Sequence, residues 1–163
     1  MIHKKIAMLG MYAVGKTSLV KRFISSIYDE KYHTTIGVKI DKKVVKVKDQ
    51  DVTLMLWDVA GAEDHFTVPT SFIRGSAGYL LVIDGTRVES LDRGLDLIAQ
   101  VESNLGKIPF VVILNKTDLV DRWQLRDEHI QSLTALGCPV IRSSALTGEG
   151  VEEAFQTLAA QLV

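Results

Sequence analysis

The chain has 163 residues, 47% apolar and 24% charged, with a formal net charge of −1. That is the length of one domain, spanning 1–163, with enough apolar content to bury a core and no global field to favour nucleic acid or an anionic membrane. A single cysteine, Cys138, excludes an internal disulfide and fits a reducing compartment, so a cytoplasmic location is expected.

Met1-Ile2-His3-Lys4-Lys5 leads straight into the apolar run Ile6-Ala7-Met8-Leu9, which reads as a buried strand rather than a signal peptide. Ile2 leaves no myristoylation site, and Ala159-Ala160-Gln161-Leu162-Val163 carries neither a terminal cysteine box nor a basic run, so no intrinsic membrane anchor is expected. Directly after the first strand, Gly10-Met11-Tyr12-Ala13-Val14-Gly15-Lys16-Thr17 fits G-x-x-x-x-G-K-[ST] at every fixed position. Leu19, Val20, Phe23, Ile24 and Ile27 then recur at helical spacing, so the motif lies between a strand and a helix. Glycines let such a loop wrap closely around a phosphate with its N–H groups aimed inward, and the following helix adds its positive end. Lys16 is placed to reach the β- and γ-phosphates, and the Thr17 hydroxyl to bind Mg²⁺ bridging them.

Residues 28–37 are polar and aperiodic and read as a loop. Val38 and Ile40 open a strand that Val45 and Val47 continue. The apolar phase flips between these pairs, which predicts a bulge or bend near Lys42 to Val44. Lys43, Lys46 and Lys48 read as a solvated strand edge, and Asp49-Gln50-Asp51 as a turn. Val52, Leu54 and Leu56 alternate with Thr53, Met55 and Trp57 as a hairpin partner ending at Asp58-Val59-Ala60-Gly61. From Ala62 to Gly75 the pattern breaks into loop or irregular helix. Gly78 to Asp84 is a continuous apolar run, as in a parallel strand covered on both faces. Leu91, Leu95, Ile98, Val101 and Leu105 mark a helix, and Phe110 to Leu114 a further buried strand. Ile130, Leu133 and Leu136 predict a helix from Arg126 to Leu136, and Val140-Ile141 a short strand. Val151, Ala154, Phe155, Leu158, Ala159 and Leu162 share one face of a last helix. Cys138, between Gly137 and Pro139, reads as a buried structural thiol.

Strands alternating with helices, with one early hairpin, give the expected fold class: α/β, a phosphate-loop NTPase with a mostly parallel six-stranded sheet, one antiparallel edge hairpin and helices on both faces. Ligands of such sheets bind at the carboxyl ends of the strands, where every loop singled out here begins. Asn115-Lys116-Thr117-Asp118 follows one of those strands and specifies the base. A carboxylate can accept both N1–H and the exocyclic amine of guanine, a donor pair that adenine lacks. Asn115 can brace the loops, and the Lys116 stem can lie over the base.

At this point the sequence resembles the Ras-like small GTPases, in the Rab or Ras manner and with a prokaryotic member among the candidates. Five motifs stand in family order over essentially the whole chain: Gly10 to Thr17, Thr35-Ile36-Gly37, Trp57-Asp58-Val59-Ala60-Gly61, Asn115 to Asp118, and Ser144-Ala145. The resemblance implies GTP or GDP with Mg²⁺ as the bound cofactors. It implies that Thr35 and Thr17 bind Mg²⁺, that Asp58 holds it through water, and that the Gly61 amide meets the γ-phosphate. Around the phosphates it adds Tyr12, Ala13, Val14, Gly15 and Ser18. At the base it adds Tyr28 as an aromatic wall, Leu119 and Leu146 beside Asp118, Ser144 in the last loop, and the Ala145 amide on guanine O6. Two switch loops, 30–40 and 62–75, would order with GTP and contact partners: an activating protein, an exchange factor and effectors.

The chain departs from the family at three places. Ala62 stands where a water-orienting glutamine is usual, which predicts slow unassisted hydrolysis. His65, three residues later, is a candidate to handle that water, against the alternative of a solvated loop histidine. Tyr12 occupies a place usually given to a small residue; it lies over the γ-phosphate, packs on the second switch, or points outward. Leu146 replaces a common lysine, which matters little to a backbone contact. The absent lipid tail points to a cytosolic relative or to one domain of a larger protein. The leading reading is a GTP-hydrolysing switch in which Lys16, Thr35 and Gly61 serve the chemistry. The alternative is a scaffold that holds nucleotide with negligible turnover, and Asn115 and Asp118 argue against an ATPase.

Overall fold

The computed structural model describes residues 2–25, 38–59 and 69–163. The described strands are β1 (Ile2–Gly10), β2 (Val38–Val47), β3 (Gln50–Val59), β4 (Gly78–Asp84), β5 (Phe110–Asn115) and β6 (Val140–Arg142). The described helices are α1 (Lys16–Ser25), α2 (Thr70–Ile73), α3 (Val88–Leu105), α4 (Asp127–Thr134) and α5 (Val151–Gln161). The strands form one sheet in the order β2-β3-β1-β4-β5-β6, parallel throughout except for the β2–β3 hairpin. This is the expected α/β architecture of a phosphate-loop NTPase.

Alternation along the strands explains the layering, because successive side chains leave opposite faces of a sheet. Ile6, Met8, Leu54, Leu56, Leu80, Val82, Val111 and Ile113 face one side, where α1 and α5 cover them with Leu19, Phe23, Phe155 and Leu158. The rings of Phe23 and Phe155 stack with centroids 4.0 Å apart, which joins the two helices directly. Ala7, Leu9, Tyr79, Leu81, Ile83, Val112 and Leu114 face the other side, under Phe72 of α2, Leu91, Leu97 and Val101 of α3, and Leu133 of α4. Strands β1, β4 and β5 are thus buried on both faces, which is why they read as unbroken apolar runs.

Several local expectations need correction. No bulge interrupts β2: ten consecutive pairs run in register from Val38↔Val59 to Val47↔Gln50. The apolar phase flips because the strand carries apolar residues on both faces. Val45 and Val47 are buried, whereas Val38, Ile40 and Val44 are about half exposed on the opposite face. The turn is Lys48-Asp49, not Asp49 to Asp51, and both residues have positive φ (50° and 65°), as a two-residue type I′ hairpin requires. Lys43 is not simply solvated: its ammonium donates to the Phe23 carbonyl and lies 4.1 Å from that ring's centroid. Ile24, Leu95 and Leu136, assigned to buried helix faces, are exposed. In α3 the buried stripe instead runs through Leu91, Gly94, Leu97 and Val101. Helix α4 stops at Thr134, short of the predicted Leu136. Cys138 is half-buried, its thiol donating to the Leu133 carbonyl at 3.6 Å, and burial pushes its pKa up. Among the described residues no helix is long and apolar enough to cross a membrane.

Candidate nucleotide-binding site

Strand order reverses direction around β1, the switch point at which open α/β sheets bind ligands beyond their carboxyl ends. The loop Met11 to Gly15 leaves β1 there and enters α1, whose first bond runs from the Leu19 amide to the Gly15 carbonyl (2.9 Å). Two glycines make the path possible. A Cβ on Gly10 would stand 2.6 Å from the Val82 carbonyl oxygen of β4, and one on Gly15 2.4 Å from Asn115 Nδ2. Ala13 adopts φ 61°, the left-handed conformation from which successive amides converge on an anion. Val14 is fully buried beneath the loop, and Tyr12 is 41% exposed, consistent with its outward-pointing alternative.

Lys16 folds back across this loop, its ammonium donating to the carbonyls of Gly10 (3.1 Å) and Met11 (3.4 Å). Burial lowers its pKa to about 8; the Asp58 carboxylate works against that shift and the Arg87 guanidinium adds to it. A polyanion in the loop would relieve the cost of keeping this buried ammonium charged. One residue on, the Thr17 hydroxyl donates to Asp58 Oδ2 at 2.5 Å, and Asp58 is 1% exposed near the end of β3. A hydroxyl and a carboxylate so close form a hard oxygen donor set suited to Mg²⁺, which takes few protein ligands and completes its shell with water and phosphate. Ser18 follows in α1 and lines the adjoining cleft.

Strand β5 delivers the second loop. Asn115 Nδ2 donates to the Val14 carbonyl (2.9 Å), and its Oδ1 accepts from Ser143 Oγ (3.3 Å). Lys116, at φ 71°, reaches back so that Nζ donates to the Ala13 carbonyl (3.1 Å). Beyond β6, Ser144 is fully buried and its hydroxyl donates to Asp118 Oδ1 at 2.7 Å, which orients an otherwise exposed carboxylate. A cleft of about 420 Å³ opens between these loops, lined by Gly15, Ser18, Asn115, Lys116, Asp118, Leu119, Ala145 and Leu146. Two stretches a hundred residues apart in sequence thus share one cavity, with the Asp118 carboxylate and Gly15 of the phosphate loop both in its lining.

Asp84, Thr86, Arg87 and Ser143 belong to the same cluster and were not singled out by sequence. Asp84, 1% exposed at the end of β4, pairs with Lys116 Nζ (2.9 Å) and Arg87 Nε (3.0 Å). Burial pushes its carboxyl up, but the Thr86 hydroxyl and amide and Lys116 outweigh that and hold it below the ordinary carboxylate value. The available signal was an acidic residue closing an otherwise apolar strand at the ligand-binding edge. Tyr28, Thr35, Gly61, Ala62 and His65 lie outside the described residues, so the switch contacts assigned to them have no geometry here.

A phosphate-loop strand–helix junction, beside a base-sized cleft at the same sheet edge, defines the class: a nucleotide-binding domain of the phosphate-loop NTPase type. The Ras family profile matches residues 5–163, and the chain belongs to the Ras family. It is in that general sense a small GTPase, and proteins of this family bind guanine nucleotides.

Proposed function

We propose that this chain, as a single domain over 1–163, is a guanine-nucleotide switch that binds GTP or GDP with Mg²⁺ and hydrolyses GTP slowly. The carrying observation is that the cleft lined by Gly15 and by the Asp118 carboxylate set by Ser144 adjoins the Gly10–Thr17 loop, at whose end the Thr17 hydroxyl meets Asp58. Amides of residues 13–17 and the Lys16 ammonium would take the phosphates. Thr17 and Thr35, with Asp58 through water, would hold Mg²⁺, which neutralises charge on the β- and γ-phosphates when bound. Asp118 would read the guanine edge, with Asn115 and Lys116 fixing the loop and the Lys116 stem beneath the base. Tyr28, Leu119, Ala145 and Leu146 would enclose the base, and Gly61 would sense the γ-phosphate.

Partners would read the 30–40 and 62–75 loops. The half-exposed Val38 and Ile40, at the end of the first of these, supply apolar surface for such a contact. Regulators of the kinds the family uses, an activating protein and an exchange factor, fit a site in which Ala62 offers nothing to orient water. An arginine supplied in trans is worth on the order of 10³–10⁵ in rate. Ala62 also favours a second reading, a cytoplasmic scaffold that keeps its nucleotide.

Single-turnover hydrolysis by purified chain with Mg²⁺, after identification of any co-purified nucleotide, tests the proposal. Guanine nucleotide should be bound, lost in Lys16→Ala, and turned over more slowly than about 10⁻⁴ s⁻¹, below the rate of about 3–5 × 10⁻⁴ s⁻¹ for a GTPase that keeps its glutamine. Turnover that depends on His65 or Tyr12 would place those residues in the chemistry. Bound GTP with no turnover at all supports the scaffold; absence of guanine-nucleotide binding defeats both readings.

A further inference from the structure

Three successive carbonyls of the phosphate loop are gripped from outside the cradle. Arg87 Nη2 donates to the Tyr12 carbonyl at 2.6 Å, Lys116 Nζ to Ala13 at 3.1 Å, and Asn115 Nδ2 to Val14 at 2.9 Å. In a trans peptide the C=O and the next residue's N–H point in opposite directions within one plane. A hand on each carbonyl therefore aims the following amide: Arg87 aims Ala13, Lys116 aims Val14, and Asn115 aims Gly15. Asn115 and Lys116 belong to the base-reading stretch. Arg87 comes from the turn between β4 and α3 and belongs to no motif in the sequence.

The grip is itself anchored. Asp84 Oδ2 takes both Arg87 Nε (3.0 Å) and Lys116 Nζ (2.9 Å), while Oδ1 accepts from the Thr86 amide (2.8 Å) and hydroxyl (2.6 Å). One buried carboxylate thus positions two cations that hold neighbouring carbonyls. The held residue, Ala13, is in the left-handed conformation disfavoured for any side chain with a Cβ, so its flanking peptides gain from being restrained. A released Tyr12–Ala13 peptide can rotate as a unit, and rotation would put an oxygen where the nest needs a hydrogen.

We propose that Arg87, held by Asp84, is a positioning residue that keeps the Ala13 amide turned into the phosphate site and so sets affinity for the polyphosphate part of the nucleotide. This rests on the guanine-nucleotide reading above. Arg87 contacts the phosphate loop and meets the base cleft only through Asp84, which keeps its bonds to Lys116 and Thr86 when Arg87 is replaced, so its effect divides ligands by phosphate number. A lysine at this position can reach Asp84 or the Tyr12 carbonyl but cannot fork between them.

The test is equilibrium competition by GDP and by GMP against a fluorescent GDP on wild type, Arg87→Ala and Arg87→Lys, with thermal unfolding of each nucleotide-free protein alongside. Arg87→Ala should weaken GDP about tenfold and GMP less than about twofold, which matches the loss of one hydrogen bond to a charged group. Arg87→Lys should lose about threefold for GDP. Unchanged GDP affinity in both variants overturns the proposal, and so does equal weakening of GDP and GMP, the mark of general loosening. If the alanine variant does not fold, the GDP-to-GMP affinity ratio of the lysine variant decides alone, and a wild-type ratio overturns the proposal. Failure of wild type to bind GDP defeats the nucleotide reading itself, and the Arg87 proposal with it.

Discussion

Gly15 carries two constraints at once: a φ of 102° and an approach that would bring a Cβ within 2.4 Å of Asn115 Nδ2. The first disfavours any side chain, and the second concerns an amide that braces the Val14 carbonyl. Gly15→Ala should therefore displace Asn115 and disrupt phosphate and base ends together. Affinity for fluorescent GDP should fall more than a hundredfold while the far-ultraviolet circular dichroism stays that of wild type. An affinity within threefold of wild type would show that the loop tolerates the displaced amide. The motif made this glycine legible, but its partner at position 115 belongs to a different strand end and no local pattern reveals it. Lys16 is similar: its place in the motif is plain from sequence, whereas its lowered pKa follows from burial and from the Arg87 guanidinium, against the opposing pull of Asp58, two charges brought in from distant parts of the chain.

At the scale of elements, α1 and α5 are locked by the Phe23–Phe155 stack, with Phe155 1% exposed. Phe155→Ala leaves a ring-sized void between two helices and the sheet. It should destabilise the fold by about 3–5 kcal/mol, read as a lower urea midpoint with an unchanged slope. A loss below about 1 kcal/mol would mean that α5 collapses onto the space without cost. The helical period placed both rings on inward faces but could not pair them, because pairing depends on how two helices cross one sheet. Strand β2 gives the converse lesson. Its phase flip looked like a bulge because a half-buried strand is expected to be apolar on one face only. The unbroken register to β3 shows an edge strand with Val45 and Val47 buried and Val38, Ile40 and Val44 turned outward. An exposed apolar row is a surface property, and period-two reasoning presumes that such rows are inside.

Across the whole molecule, the strand ends gather charges that the two apolar layers would otherwise exclude. Asp84 takes hydrogen bonds from Arg87, Lys116 and Thr86, and its folded pKa lies below the ordinary value of 3.8. A carboxylate with a depressed folded pKa contributes stability that is present above its unfolded value and lost as pH falls through the folded one. Asp84→Asn should consequently be less stable than wild type by about 2 kcal/mol at neutral pH, since charged hydrogen bonds to Lys116 and Arg87 are lost. Urea unfolding on descending pH should show that gap narrowing below pH 4. A gap that stays constant down to pH 3 would mean that the carboxylate's charge contributes nothing.

The sequence by itself determined the architecture and the positions of the short motifs within it. Apolar runs and helical periods are local consequences of which faces are covered, and a glycine-bounded loop or a polar tetrapeptide closing an apolar strand is legible within a few residues. So the six-stranded order of elements, the Gly10–Thr17 loop and the Asn115–Asp118 turn were all readable from the chain alone. Only the tertiary structure decided that Asp84, Thr86, Arg87 and Ser143 join them. A buried carboxylate at a strand end acquires its role from the cations that other strands deliver, and their meeting is fixed by the order in which β1, β4 and β5 lie side by side.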